Sequence, residues 1–63
     1  MINSKAEARE AIGNIYRLMH KVKVPFSVVP FRMVRLMEEW DISKQELDAI
    51  RRRVIRELSY IIV

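Results

Sequence analysis

Apolar side chains recur along this chain with a helical period in three separate stretches. The first holds Ala8, Ala11, Ile12, Ile15, Tyr16, Met19 and Val22 at three- and four-residue spacing. At 100° per residue they cover one face, with Glu7, Glu10, Asn14, Arg17 and Lys21 opposite. Ser4 and Glu7 precede this face in the Ser-x-x-Glu capping-box pattern, in which each satisfies a free N–H of the other. The pattern predicts an amphipathic helix over about residues 5–21, about five turns long. Gly13 lies on its side, costs about 1 kcal/mol relative to Ala, and leaves room for another backbone to approach.

Pro25 pushes Val24 toward an extended conformation and ends that helix. Val22, Val24, Val28 and Val29 hint at a strand. Two prolines between residues 25 and 30, with no partner strand elsewhere, argue against a sheet. The stretch reads as an extended connector pressed on the core. Ser27 is the expected cap of a second helix over about 28–40, with Pro30 inside its first turn, where a missing N–H costs little. There Met33, Leu36, Met37 and Trp40 share one face, while Arg32, Arg35, Glu38 and Glu39 lie away from it. Asp41 takes the following turn, and Ser43 with Glu46 repeats the capping box. A third helix over about 44–61 carries Leu47, Ile50, Val54, Ile55, Leu58, Ile61 and Ile62 on one side. Gln45, Ala49, Arg52, Arg53, Arg56 and Tyr60 lie opposite. The expected fold is all-α, a small trihelical bundle forming a single helical domain over residues 1–63.

With 63 residues, one core is near the lower limit at which it supports itself. An apolar fraction of 51% is generous for that length, so part of it is expected to be covered by a second copy of the chain. Twelve Lys and Arg against eight Asp and Glu give a net charge of +4, which suits a polyanionic partner. Cysteine is absent, which excludes a disulfide framework and thiolate metal sites. The polar segment before Ala8 carries no leader signature, and no apolar run approaches the roughly 20 residues of a bilayer span. A soluble, intracellular, cytoplasmic protein is expected.

The outward face of the third helix carries the sharpest chemistry. An α-helix fits a DNA major groove, and bases are read from its exposed first turns. Gln45 can bond adenine bidentately, Ala49 is small enough to let the helix approach, and Arg52 can reach guanine or phosphate. Lys44, Arg53 and Arg56 suit phosphate clamping, and Ser43 sits at a helix N-terminus, which favours phosphate. The same arginines also read as a solvated face chosen for helix propensity and solubility.

The run Trp40-Asp41-Ile42-Ser43-Lys44-Gln45-Glu46-Leu47, with Ile50 three residues on, resembles the helix-turn-helix consensus of DNA-binding modules. Its continuation, Ile50-Arg51-Arg52-Arg53-Val54-Ile55-Arg56-Glu57-Leu58, is similar to the end of sigma factor region 4. The resemblance covers about 25 of the 63 residues. It implies double-stranded DNA as partner, with Lys44, Gln45, Ala49 and Arg52 facing it and Leu36, Ile42, Leu47 and Ile50 in the core. Three departures stand out. Asp41 replaces the usual Gly of the turn, and Met37 replaces the small residue where the two helices cross. Glu46 and Asp48 put negative charge near the groove-facing surface.

A second reading uses the same period differently. Leu47, Ile50, Val54, Leu58 and Ile61 step almost as a coiled-coil seam, and Tyr60-Ile61-Ile62-Val63 is strongly apolar. Leu58, Tyr60, Ile61 and Ile62 are therefore the expected homodimer contacts. On this view the chain is a helical adaptor or assembly module for protein partners. A third reading gives the basic face to RNA or a membrane surface. Arg51 falls inside the apolar arc, where it is expected to snorkel or to pair with a carboxylate of a neighbouring chain. His20, the single histidine, reads as a helix-end cation rather than a metal ligand. With no Gly-rich phosphate loop and no nucleophile–His–acid set, neither an enzyme nor a cofactor is expected.

Overall fold

The computed structural model describes the backbone of residues 1–62 and the side chains of residues 1–60. Three helices account for it: α1 (Lys5–Lys21), α2 (Phe31–Glu39) and α3 (Lys44–Ile62). No strand occurs among the described residues, so the all-α bundle expected from the periodicity is the fold.

Both long helices start on their serines. Ser4 stands in extended backbone and its hydroxyl accepts the Glu7 N–H at 3.1 Å. At α3 the box closes in both directions: Ser43 Oγ accepts from the Glu46 N–H at 3.1 Å, and the Ser43 N–H donates to Glu46 Oε2 at 3.3 Å. The helix ends are also built alike. Beyond α1, the Val24 N–H returns to the Met19 carbonyl at 2.8 Å, with Lys23 at φ 63°. Beyond α2, the Ile42 N–H returns to the Met37 carbonyl at 2.9 Å, with Asp41 at φ 52°. These are Schellman-type closures, whose left-handed position is ordinarily glycine. The chain's only glycine lies elsewhere, so Lys23 and Asp41 carry the cost of that conformation, roughly 1–2 kcal/mol each. Asp41 thus does the geometric work of the glycine it replaces.

The start of α2 differs from the sequence expectation. It begins at Phe31, not at 28, and its cap is Pro30 rather than Ser27. Pro30 has φ −61° and ψ 151°, so it stays extended, and its ring also disfavours helical backbone at Val29. Ser27 lies instead in a turn closed by the Val28 N–H on the Pro25 carbonyl. The shorter helix leaves Val28, Val29 and Phe31 exposed, Phe31 at 77%.

The core takes Ala8, Ile12, Tyr16 and Met19 from α1, Met33 and Leu36 from α2, Ile42 from the turn, and Ile50 and Val54 from α3. Among the described residues, no charged or polar residue is buried with them. Phe26 anchors the connector against Tyr16, with ring centroids 4.9 Å apart. Direction follows from the cross-links. Lys5 and Arg9 reach Glu46, while Arg17 reaches Glu57, so α1 and α3 lie side by side and parallel. Between them α2 carries the chain back, and Lys5 Nζ meets the Asp41 carbonyl at 2.9 Å where α2 has returned. Leu47 and Leu58 are half-buried at the core's edge, and Ile55, expected on the apolar side, is 47% exposed.

Two substitutions probe this account by urea denaturation. A Cβ at Gly13 would meet Arg17 Nη1 at 3.5 Å and Ile50 Cγ2 at 3.8 Å, both ordinary contacts, so no backbone approach requires the glycine. Gly13→Ala should stabilise the bundle by about 0.5–1 kcal/mol, and a loss would mean tighter α1–α3 packing than described. Asp41→Ala keeps the strain of the left-handed corner while Asp41→Gly relieves it, so the glycine variant should be the more stable of the two by about 1 kcal/mol.

Candidate nucleic-acid interface

Every residue that the sequence nominated for DNA lies on α3 or at its cap, and all are exposed: Ser43, Lys44, Gln45, Ala49, Arg52, Arg53 and Arg56. At 100° per residue, Gln45, Ala49, Arg52 and Arg56 fall within an arc of about 60° that faces away from the core. Lys44 and Arg53 flank this arc. Lys44 borders a groove opening between α2 and α3, and Arg53 one between α1 and α3. The latter has a floor of Ala6 and Ala49, so its centre is low.

The carboxylates that threatened this face are tied up. Glu46 turns toward α1, where Lys5 Nζ lies 3.6 Å and Arg9 Nη2 3.5 Å from its Oε1. Asp48 accepts from Arg51 Nη2 at 2.8 Å. Glu57 is held by Arg17 in a two-pronged contact, Nε and Nη2 each donating at 3.0 Å, while Arg17 Nη1 donates to Asn14 at 2.7 Å. All three acids of α3 are therefore matched by cations outside the arc. Lys44, Arg52, Arg53 and Arg56 form no ion pair among the described residues. As stability devices these contacts are minor, since each partner is a third or more exposed.

Glu46 shows the effect in its acidity. Partial removal from water pushes its pKa up, but the Ser43 N–H, Lys5 and Arg9 together outweigh this and hold the carboxyl below the ordinary glutamate value. Arg51, the misfit in the apolar arc, pairs with Asp48 on its own helix rather than with a carboxylate of a neighbouring chain.

Lys5 and Arg9 were not nominated from the sequence. Their four-residue spacing puts them on one edge of α1, but only the parallel packing shows which element that edge meets. Met37 is half-buried and lines the α2–α3 groove; Leu36, Ile42 and Ile50 are buried, while Leu47 is half-buried. Of the expected dimer contacts, Leu58 packs against the core and Tyr60 is 79% exposed. The side chains of Ile61 and Ile62 lie outside the described residues. Among the described residues there is no cluster of His, Cys, Asp or Glu able to hold a metal, and no helix long and apolar enough to cross a membrane. Set against family models, curated proteins and solved structures, the chain finds no match.

The Glu46 contacts imply a pH dependence with a definite sign. A carboxyl with a depressed folded pKa contributes stability above its unfolded value, near 4.5, and loses it as pH falls through the lower folded value. Melting temperature should thus drop on acidification below about pH 4.5, and less steeply in Glu46→Gln. An unchanged slope in that variant would remove Glu46 as the group responsible.

Proposed function

We propose that this chain binds double-stranded DNA through the outward face of α3, acting as a small transcriptional regulator or an accessory factor. One observation carries the reading: the acids of α3 are all paired, while Lys44, Arg52, Arg53 and Arg56 are exposed without an ion-pair partner among the described residues. A solvated helix chosen for solubility has no need to segregate its charges in this way. In the proposed complex Gln45 and Arg52 meet base edges, and Ala49 lets the helix sit deep. Arg53, Arg56 and Lys44 hold phosphates, helped by the N-terminus of α3 behind Ser43. The short turn with its left-handed Asp41 supports the reading, because α3 follows α2 abruptly and stays free on its outer side.

A dimer belongs to the same proposal. Ile55 and Tyr60 are exposed on the C-terminal half of α3, beside the half-buried Leu58, and Leu18 and Val22 are exposed at the adjoining end of α1. Apolar surface collected at one end of the bundle suits a second copy of the chain, which would present two α3 helices to one duplex. This surface also favours the second reading, a helical adaptor for protein partners, if DNA is not bound.

Fluorescence anisotropy with random-sequence duplex at two salt concentrations decides the main point. Affinity should fall steeply with salt, and Arg52→Ala with Arg56→Ala should weaken binding about tenfold or more while leaving the helical circular dichroism intact. No binding at low salt, or no salt slope, would sink the DNA reading. Sedimentation at micromolar concentration should give about twice 7.5 kDa, with Ile55→Ser shifting the chain toward monomer. A monomer at that concentration removes the dimer from the proposal.

A further inference from the structure

Charge is distributed unevenly along the bundle. Between Glu10 and Glu38 the chain has no Asp or Glu, yet it carries Arg17, Lys21, Lys23, Arg32 and Arg35. This stretch forms the C-terminal half of α1, the connector and the first turns of α2. Lys23, Val24 and Phe26 line one hollow with Ile55, Leu58 and Ser59, so the C-terminal part of α3 lies at the same end. Of the eight acids in the chain only Glu57 falls there, and Arg17 holds it.

That end also carries an apolar tip. Val28, Val29 and Phe31 are exposed in one run of the chain. The tip is firm, because the Val28 N–H closes a turn on the Pro25 carbonyl at 3.1 Å and Pro30 fixes the backbone before α2. Four-residue spacing puts Arg35 next to Phe31 on the surface of α2, with Arg32 beside them, while Met33 and Leu36 face the core. Neither arginine forms an ion pair among the described residues, although Glu39 lies four residues from Arg35. Protruding apolar side chains among unpaired cations fit a surface that is anionic on top and apolar beneath. An anionic bilayer supplies both layers, phosphates for the cations and acyl chains for the tip.

We infer that this end of the bundle docks on an anionic lipid bilayer. Val28, Val29 and Phe31 enter the boundary between headgroups and acyl chains, and Lys23, Arg32 and Arg35 lie against lipid phosphates. The contact is peripheral, in keeping with the lack, among the described residues, of a helix able to cross a membrane. The inference does not rest on the DNA reading, whose residues all lie on α3 or at its cap.

Co-sedimentation of the full-length chain with vesicles tests it, using phosphatidylcholine alone and phosphatidylcholine mixed equally with phosphatidylglycerol. The mixed vesicles should bind the chain about tenfold or more tightly than the neutral ones, since each cation near an anionic surface adds about fivefold. Phe31→Ser should weaken binding about tenfold, and so should Arg32→Gln with Arg35→Gln, with the helical circular dichroism intact in both. Arg52→Ala with Arg56→Ala should change it by less than about threefold. Phe31→Trp should be quenched by lipids brominated in their acyl chains, whereas Trp40 of the unaltered chain, at the other end of α2, should not. The inference is overturned if the mixed vesicles are not bound, as a protein or nucleic-acid partner for this end would predict. It is also overturned if Phe31→Ser binds as well as the unaltered chain, if loss of Arg52 and Arg56 matters more than loss of Phe31, or if Phe31→Trp escapes the quencher.

Discussion

The parallel packing of α1 against α3 is the constraint from which the rest of the structure follows. Two long helices can lie parallel in one short chain only if the link between them returns the full length of the first. Here the return is made by the connector and the nine residues of α2, with a left-handed corner at each end of the journey, Lys23 and Asp41. Parallel helices also align their dipoles unfavourably. The lateral contacts that join them are charge pairs at both levels, Glu46 with Lys5 and Arg9 near the N-termini and Arg17 with Glu57 near the C-termini. Each is modest in energy. Together they fix the register of two faces that the apolar core alone would hold less specifically.

That register has a consequence for the surface. Pairing across α1–α3 takes up Glu46 and Glu57 with cations from α1, and Arg51 of α3 itself takes up Asp48, so charge that was mixed along the sequence becomes sorted in space. The outward arc of α3 keeps arginine and loses its compensation. The local sequence of α3, with Glu46, Asp48 and Glu57 among its arginines, looks much less like a polyanion-binding face than the folded helix does.

Much of the architecture was legible in the chain. The 3.6-residue period and the two Ser-x-x-Glu boxes located α1 and α3 almost to the residue, because these are local signals that packing did not override. The start of α2 was not, because Ser27 and Pro30 compete as caps and the steric effect of proline on Val29 prevailed. Ile55 was misplaced because a wheel of α3 shows an apolar arc but not how narrow the facing helix is; Tyr16 and Val54 fill the contact, and Ile55 falls outside it. The partners of Glu46 were hidden for a different reason. Lys5 and Arg9 lie about forty residues upstream, and no local rule connects them to α3.

Met37 links these two kinds of information. As a departure from the small residue expected where α2 and α3 cross, it implied that the two helices would be held apart. In the structure it is half-buried on the wall of the groove between them. The side chain that weakens the likeness to a compact DNA-reading hairpin thus becomes part of the wall between α2 and α3, beside Val34 and Leu47. Its unbranched thioether fills irregular space there, while Met33 and Leu36 of the same helix are buried in the core.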